Sequence, residues 1–548
     1  MTVTHEVVNQ PPPLTGFTAA DEPALLETLR REGAGWGERE VTELGALAGT
    51  AAVQEQSRWA EEVPPRLQTH DRFGHRVDEV TFHPAWHQLM TVAVEQGLHA
   101  APWADDRPGA HLVRAAKFYL WSQAEPGHGC PISMTYAAVP ALRAAPELAA
   151  VYEPLLTSRV YDFGLRPPLT KSGLIAGMSM TEKQGGSDVR ANTTRAVAAA
   201  DGSYRITGHK WFTSAPMSDV FLTLAQTAEG LSCFLLPRVL PDGSRNGLRL
   251  MRLKDKLGNR SNASAEIEYE AAVAWPVGEP GRGVRTIVEM VNMTRLDCVL
   301  GSAAAMRAGL RQALHHTAHR QAFGRTLDHQ PLMRSVLADL AVESEAATLL
   351  GMRLAAAVDR SQAGDAREAA LRRLALAAAK YWVCKRGSSH VGEALECLGG
   401  NGYVEESGMP RLYREAPLLS IWEGSGNVAA LDVLRALQRE PDALEAYFAE
   451  IDAAAGADRR LDAAAAGLRK LLGELADPER AQLLARTVAE RMALVLQGAL
   501  LVRHSSPAVA DAFCASRLDG AWGNAFGTLP PGTDLTAILE RTRTGEAH

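Results

Sequence analysis

A block of short β-rich runs, placed between two long helical regions, most constrains what this chain can fold into. From about residue 173 to 280, short apolar runs alternate with turn signals such as Asp-Gly and Pro-x-Gly, which is typical of a small antiparallel sandwich or barrel. On the N-terminal side, segments 23–32 and 112–123 carry apolar residues at helical spacing. Helical spacing returns after residue 282 in long stretches that are typical of an antiparallel bundle.

These changes divide the chain of 548 residues into four predicted domains. A chain of this length is expected to form roughly three or four cores. We predict an N-terminal helical domain at 1–172, a middle β-domain at 173–281, a helix bundle at 282–440 and an extra helical domain at 441–548. The predicted fold class is therefore multidomain and mainly α, with a central antiparallel β-sandwich or barrel.

Composition argues against several classes of protein. The net charge of −7 gives no general attraction to nucleic acid or to anionic lipid. No apolar stretch approaches the roughly 20 residues that span a bilayer, and the first residues lack the basic start and apolar core of a signal peptide. The six cysteines are scattered without a Cys-x-x-Cys pair, which favours reduced thiols over disulfides or a zinc framework. We therefore predict a cytoplasmic protein without a bound metal.

Two strings in the middle β-domain carry residue types suited to binding a flat, phosphate-bearing group. In Met178–Val189, MSMTEKQGGSDV, Thr181 offers a hydroxyl, and Gly185–Ser187 allow backbone N–H groups to converge on an anion. Taken alone, this string is more typical of a plain β-turn. In Gly208–Ser214, GHKWFTS, an aromatic beside hydroxyl residues can stack on and hydrogen-bond a heterocycle, although a single buried Trp more often belongs to a core.

Four further strings follow in order along the chain. They are DKLGNRS at Asp255–Ser261, RQAFG at Arg320–Gly324, ECLGGNGY at Glu396–Tyr403 and the segment Arg411–Asn427, which contains IWEG. A Rossmann glycine string and a P-loop string are missing from the sequence, so a nucleotide cofactor would need another scaffold. In their order and spacing, the six strings resemble those of the acyl-CoA dehydrogenase family over roughly residues 90–440.

Within that family the chain is most similar to the AidB branch, the alkylation-response, isovaleryl-CoA-dehydrogenase-like flavoproteins. The supporting strings are REGAGW at Arg31–Trp36, FHPAWH at Phe82–His87, the TEKQGGSDV variant, Trp422 within IWEGSGN, and the tail beyond residue 440. This second resemblance extends over nearly the whole chain. It implies a homotetramer built as a dimer of dimers.

The resemblance also implies a reaction and a base. The family oxidises acyl-CoA thioesters at Cα–Cβ: a carboxylate in a largely dry pocket removes the α-proton while a hydride leaves the β-carbon for N5 of FAD. The family places its base at one of two positions, which here hold Glu423 and the residue before Arg295, Thr294. Only the first is a carboxylate, so Glu423 is the expected base.

The resemblance further implies which residues contact FAD. Those of the middle domain are Met178, Met180, Thr181, Gly186, Ser187, Trp211, Thr213 and Ser214. Those of the bundle are Gly399, Gly400, Ile421, Trp422, Gly424, Ser425 and Asn427. Those that reach the FAD of a neighbouring subunit are Arg320, Phe323 and Gln330.

Four positions depart from the family pattern. Lys183 and Gln184 replace residues near the expected site entrance, and Glu396 replaces a glutamine of the cross-subunit FAD contact. Trp422 replaces a smaller tyrosine and would narrow the acyl pocket, which favours short or branched acyl groups. Flavin binding is therefore better supported by the sequence than efficient turnover is.

The AidB branch is associated with double-stranded DNA binding through its extra C-terminal domain. Residues 441–548 hold 11 Lys plus Arg against 15 Asp plus Glu, a net of −4, whereas DNA-binding domains generally present a basic face. The candidate basic residues are Arg435, Arg439, Arg459, Arg460, Arg469 and Lys470. Each pair is more typical of a solvated helix face, and no helix-turn-helix or zinc-finger string is present, so any DNA binding should be sequence-tolerant.

Three functions remain open from the sequence. The first is an FAD-dependent acyl-CoA dehydrogenase, and the second is a flavoprotein that mainly binds or protects DNA during alkylation stress. The third is a scaffold that keeps the fold without flavin. The presence of Glu423, Thr181, Ser187 and Asn427 argues against the third.

Overall fold

The computed structural model describes residues 4–543, and its N-terminal part is helical with one hairpin. The elements are α1 (Pro23–Arg31), α2 (Glu38–Ala48), α3 (Ala51–Glu62), β1 (Arg66–His70), β2 (Arg76–Thr81), α4 (Pro84–Glu95), α5 (Ala110–Ser122), α6 (Gly129–Leu142) and α7 (Pro146–Leu156). Proline at the first position starts α1, α4 and α7, where its missing N–H costs no hydrogen bond. The helices predicted at 23–32 and 112–123 are confirmed, while the hairpin β1–β2 was not predicted.

The middle part forms a seven-stranded sheet. Its strands are β3 (Ala176–Ser179), β4 (Arg195–Ala198), β5 (Tyr204–Ser214), β6 (Val220–Thr227), β7 (Gly230–Pro237), β8 (Leu248–Leu253) and β9 (Ser264–Val277). Strands β6, β7, β9, β5 and β3 pair in succession, and β3 pairs back onto β6. The ring of pairings closes the sheet, so the predicted barrel is confirmed.

One pairing in the barrel differs from the antiparallel prediction. Strand β3 runs parallel to β6, with Ala176 opposite Val220 and Ser179 opposite Thr223. Strand β3 has only four residues and is buried throughout, so its apolar run carries no period that would reveal its direction. The other strand pairs of the barrel are antiparallel, apart from a single parallel bridge between β4 and β6.

The C-terminal part is built from long helices. The elements are α8 (Gly283–His319), β10 (Gln321–Ala322), β11 (Arg325–Thr326), α9 (Pro331–Gln362), α10 (Ala366–Glu396), α11 (Met409–Glu415), α12 (Gly426–Arg439), α13 (Pro441–Asp452), α14 (Arg459–Gly473), α15 (Pro478–His504), α16 (Pro507–Phe513) and α17 (Leu535–Thr542). Helix α10 packs against α9, α12, α13 and α15. Its first turn is capped by Asp365, which accepts from the N–H groups of Arg367 and Glu368. The predicted bundle and the helical tail are therefore confirmed.

The chain divides into two compact units. One combines the described residues of Met1–Ala51, His111–Gln123 and Cys298–His548, and the other combines Ala52–Ala110 with Ala124–Asp297. In the first unit, one apolar core contains bundle residues such as Leu340 and tail residues such as Phe513, Ile538 and Leu539. These units follow other boundaries than the four predicted domains, whose limits at 172, 281 and 440 stay predictions. Within the described residues, no helix combines the length and apolar character needed to cross a bilayer.

Candidate active site

The loop after β3 is anchored by a buried ion pair between Glu182 and Lys210. The carboxylate of Glu182 accepts from Lys210 Nζ at 2.9 Å, from the Thr193 N–H at 2.7 Å and from the Thr194 N–H at 3.1 Å. Lys210 also donates to the Leu224 carbonyl at 2.8 Å. Burial raises the pKa of the Glu182 carboxyl, but these hydrogen bonds and the Lys210 charge outweigh it and hold that pKa well below its usual range. Burial also lowers the pKa of Lys210 to about 8, against the attraction of Glu182.

Above this pair, the glycine-rich turn faces solvent. Gly185 has φ of 138° and its N–H donates to the Glu182 carbonyl at 3.0 Å. A Cβ on Gly186 would lie 2.5 Å from Thr181 Oγ1, so glycine lets the turn fold tightly over Thr181. Ser187 is exposed. The string is thus a β-turn, as its composition alone favours, and it also presents polar groups at the surface.

The strand residues near this turn divide into two sets. Met180, Thr181, Trp211 and Ser214 are partly exposed. Met178 and Thr213 are buried, and the hydroxyl of Thr213 accepts from Ser179 Oγ at 2.9 Å. Regular alternation would put Trp211 and Thr213 on the same face of β5. The pairing of β5 with β9 is irregular between Lys210 and Thr213, and here Thr213 is buried while Trp211 is partly exposed. The FAD contacts expected of Met178 and Thr213 stay predictions.

Sequence reasoning missed the cations around Trp211. Lys254 Nζ lies 3.4 Å from the centroid of the indole, and Arg252 and Lys183 lie at 5.8 Å and 5.9 Å. Glu266 accepts from both Lys254 and Arg252 at 2.6 Å, so its single negative charge offsets one of the three positive charges. An aromatic surrounded by cations suits an anionic ligand. Only the basic run of β8 in the sequence hints at this cluster.

In the bundle, Glu423 lies in a short loop between two turns of helix. The loop follows a 3₁₀ turn at Leu418–Ser420 and ends where α12 begins at Gly426. Glu423 is partly buried, and its φ of 58° lies in the left-handed region, as does Gly424 at 102°. A non-glycine residue there costs about 1–2 kcal/mol. The surrounding structure must therefore hold Glu423 in place.

The remaining predicted contacts of this loop lie at its two ends. Ile421 is exposed and Trp422 is partly buried. Ser425 and Asn427 are exposed at the start of α12. Sequence reasoning missed Lys380 of α10, whose buried Nζ donates to the Ser420 carbonyl at 3.2 Å and to the Gly424 carbonyl.

The hairpin β10–β11 presents an aromatic side chain to solvent. Phe323 lies at its tip with φ of 54° and 97% of its surface exposed. Gln330 Nε2 supports the hairpin by donating to the Ala322 carbonyl at 2.9 Å. Gly399 and Gly400, together with Glu396, are exposed at the C-terminal end of α10 and in the turn after it.

Asn9, from the N-terminal segment, also holds the hairpin and was not predicted. Its Nδ2 donates to the Gln321 carbonyl at 2.9 Å, and its Oδ1 accepts from the Gln321 N–H at 2.7 Å. Its carbonyl accepts from Arg320 at 2.5 Å. Nothing in the sequence pattern links residues that are 312 positions apart.

The comparisons with known proteins cover almost the whole chain. Family models match at residues 9–163 (adaptive response protein AidB, N-terminal domain), 177–272 (acyl-CoA dehydrogenase, middle domain) and 281–438 (acyl-CoA dehydrogenase, C-terminal domain). AidB of Escherichia coli (strain K12) is 49% identical over 529 residues, which cover 95% of each chain. The chain belongs to the acyl-CoA dehydrogenase family, in its AidB branch.

A relative of known structure agrees with this assignment. Acyl-CoA dehydrogenase family member 11 of Caenorhabditis elegans is 34% identical over 523 residues, which cover 89% of this chain and 84% of the relative. The crystal structure of Caenorhabditis elegans ACDH-11 in complex with C11-CoA superimposes with a TM-score of 0.87 at 30% identity, covering 94% of both chains. The family assignment and the fold predicted from the sequence are therefore confirmed.

FAD is the cofactor of the acyl-CoA dehydrogenase family and of this chain. The residues of the β-domain fit it: a glycine turn with no room for a Cβ at Gly186, exposed polar groups at Ser187, and the partly exposed ring of Trp211. The cations beside Trp211 suit a ligand that carries phosphates. The FAD contacts predicted for individual residues stay predictions.

The residue expected at the second base position of the family, Thr294, carries a hydroxyl and no carboxylate. Thr294 is buried in α8, and its hydroxyl donates to backbone carbonyls of its own helix, Val291 at 3.1 Å and Met290 at 3.3 Å. A hydroxyl committed to these carbonyls has neither the charge nor the freedom to take a proton from carbon. The assignment of Glu423 as the base stays a prediction.

The six candidate DNA contacts are partly neutralised by neighbouring carboxylates. Arg435 pairs with Asp432 at 3.1 Å, Arg460 with Asp458 at 2.6 Å and Asp511 at 2.8 Å, and Arg469 with Asp452 at 2.7 Å. The other three, Arg439, Arg459 and Lys470, are exposed. This arrangement resembles a solvated helix face more than a continuous basic surface.

Proposed function

We propose that this protein is an FAD-dependent acyl-CoA dehydrogenase in which Glu423 is the base. The observation that carries the proposal is the partly buried carboxylate of Glu423, held with left-handed φ in the IWEG loop. Thr294 offers no carboxylate at the alternative position. A chain that needed only the fold would have no reason to keep glutamate in a backbone conformation that disfavours it.

The substrate is an acyl-CoA thioester whose α-carbon carries an acidic proton. Glu423 takes that proton into its carboxylate as the general base of the reaction. When bound, FAD supplies the two-electron acceptor that takes a hydride from the β-carbon, so the product is the trans-enoyl thioester. Thr181, Gly186, Ser187 and Trp211 would hold the flavin in the β-domain.

The acyl group is the finer part of the proposal. Trp422 is partly buried beside Glu423 in the sequence, and its indole reduces the space for an acyl chain, which favours short or branched groups. The Caenorhabditis elegans relative was solved with C11-CoA. A panel of straight acyl-CoAs from four to twelve carbons and branched five-carbon acyl-CoAs therefore tests this preference directly.

Anaerobic titration of the purified holoenzyme with that panel tests the proposal. Bleaching of the flavin by at least one acyl-CoA is expected, and Glu423→Gln should slow it about 10⁴-fold, because a general base contributes up to this factor. Glu406→Gln, a change of the same charge at an exposed position, should leave the rate unchanged. A protein that no acyl-CoA bleaches, or a Glu423→Gln variant at the wild-type rate, would overturn the proposal.

A homotetramer is part of the same proposal. The exposed Phe323 and the groups around it are the features that would reach the FAD of a second copy. Light scattering coupled to size exclusion should give four times the mass of 58.9 kDa for the chain. A monomer that retains stoichiometric FAD would show that Arg320, Phe323 and Gln330 do not bind cofactor across subunits.

Sequence-tolerant binding of double-stranded DNA, in a flavoprotein of the alkylation response with weak turnover, is the alternative function. Its support is limited to the exposed Arg439, Arg459 and Lys470. A mobility-shift series with a random duplex should show binding that weakens steeply with salt, and reversing these three charges should abolish it. Absence of a complex at low salt would eliminate this alternative.

A further inference from the structure

Lys380 is a buried lysine whose ammonium group contacts the loop of Glu423. It lies on α10 with 1% of its surface exposed. Its Nζ donates to the Ser420 carbonyl at 3.2 Å and also to the Gly424 carbonyl. These two carbonyls lie three residues before and one residue after Glu423. The ammonium group therefore joins both ends of the segment that carries the proposed base.

The segment between these carbonyls has little other support from regular structure. Ile421 and Trp422 donate their N–H groups to the Leu418 carbonyl at 2.9 Å and 3.1 Å, and helical hydrogen bonding resumes only in α12. Residues 423 and 424 both have positive φ. A glutamate persists in this conformation only where its surroundings determine it, and Lys380 donates to a backbone carbonyl on each side of it.

The chemistry of lysine suits this task. An ammonium group has three donors and no acceptor. It can therefore donate to two carbonyls at once, and it does not compete with Glu423 for the proton of the substrate. Among the described residues, no carboxylate forms an ion pair with Lys380 within 4.0 Å, although many lysines and arginines of the chain do form one. A carboxylate partner is thus not what keeps Lys380 buried; the two carbonyls are.

We propose that Lys380 is a positioning residue for Glu423: it fixes the loop of residues 420–424 so that the carboxylate meets the α-proton of the substrate. The proposal rests on the assignment of Glu423 as the base. A lysine with a purely structural role would affect folding and cofactor content alike. A positioning residue affects the chemical step selectively.

Lys380→Met removes all three donors and keeps an unbranched apolar side chain that is one atom shorter. In the holoenzyme we expect kcat to fall about 100-fold, since a misplacement of about 1 Å can cost that factor. The dissociation constant of acyl-CoA, measured by the shift of the flavin spectrum in Glu423→Gln and in the double variant, should stay within about twofold. Lys380→Gln, which keeps an amide donor but is shorter, should give an intermediate kcat.

Lys385 provides the matched control. It lies on the same helix, five residues later, and its side chain is partly exposed near Gly426. Lys385→Met should leave kcat within about twofold of the wild type. Equal losses in Lys385→Met and Lys380→Met would show a general effect of removing a lysine from α10, and would overturn the proposal.

Hydrogen exchange of the FAD-loaded protein gives a readout that does not depend on turnover. Peptides covering residues 418–426 should exchange at least tenfold faster in Lys380→Met and Lys380→Gln, with no change in Lys385→Met. If wild-type protein oxidises no acyl-CoA, the proposed function fails, while faster exchange still shows that Lys380 holds the loop. If Lys380→Met does not fold, Lys380→Gln carries the test. Wild-type exchange and kcat in a folded Lys380→Gln would overturn the positioning role.

Discussion

The loop of the β-domain and the loop of the bundle are each held by a buried lysine, but the two lysines have different partners. Lys210 pairs with the carboxylate of Glu182, whereas Lys380 donates to the carbonyls of Ser420 and Gly424. The ion pair of the β-domain adds no net charge beside the loop that is expected to bind the cofactor. The loop of the bundle carries the base itself, and a second carboxylate there would compete with Glu423 for the proton.

These different partners predict whether a substitution near each loop lowers stability or slows catalysis. A buried ion pair is expensive to break, because one partner is left charged in an apolar setting. Hydrogen bonds from an ammonium to carbonyls leave no buried carboxylate behind when the lysine is removed. We therefore expect substitutions beneath the β-domain loop to act on stability, and substitutions beneath the bundle loop to act on catalysis.

The largest stability effect should follow from Glu182→Gln. This change leaves Lys210 buried without its carboxylate, and we expect a loss of about 3–5 kcal/mol in the free energy of unfolding of the β-domain. Urea unfolding followed by Trp fluorescence measures it. The double variant Glu182→Leu with Lys210→Met removes both charges and should cost less than Glu182→Gln alone. A larger loss of unfolding free energy in the double variant than in Glu182→Gln would contradict this explanation of the ion pair.

Acid should weaken the same loop. The pKa of Glu182 in the folded protein lies below its ordinary value of 4.5, so the folded state binds fewer protons than the unfolded state in this window. The stability from Glu182 is fully present above pH 4.5 and is lost as the pH falls towards the folded pKa. In the wild type, the urea concentration at the midpoint of unfolding should decrease as the pH falls below 4.5. In Glu182→Gln, which has no carboxyl to titrate, this part of the pH dependence should be absent.

The smallest effect should come from the hairpin β10–β11. Asn9→Ala removes two side-chain hydrogen bonds to Gln321, each worth about 1 kcal/mol, from a hairpin that we propose binds FAD across subunits. We expect FAD to be released about fivefold faster, measured by fluorescence of the freed flavin. Val8→Ala, at an exposed position of the same segment, is the control and should behave like the wild type. An unchanged rate of FAD release in Asn9→Ala would show that the hairpin does not contribute to FAD binding.

The sequence predicted the broad architecture because periodicity reflects which faces are buried. The helices around 23–32 and 112–123 and the strands of the β-domain follow from local patterns. The direction of β3 does not, because a four-residue buried strand has no alternation to read. The burial of Thr213 was also not predicted, since it depends on which face of β5 meets the barrel interior.

Residues of the candidate site could be predicted from the sequence only where they belong to a recognisable motif string. Glu423 follows from the IWEG string, and Gly186 from the glycine turn. Lys380 and Asn9 carry no local signal, because each acts on residues that are brought to it by the packing of distant segments. The cations around Trp211 are missed for the same reason: Arg252 and Lys254 lie on β8 and just after it, and strand β9 lies between β8 and the strand of Trp211.

The left-handed backbone at Glu423 has a consequence for how this chain tolerates change. Glycine or asparagine adopts that conformation at lower cost than glutamate does, so either residue would make the folded protein more stable while removing the carboxylate. Selection for stability alone would drive position 423 away from glutamate. A homologue that is no longer selected for catalysis is therefore expected to lose this glutamate early and to gain thermal stability as it does so.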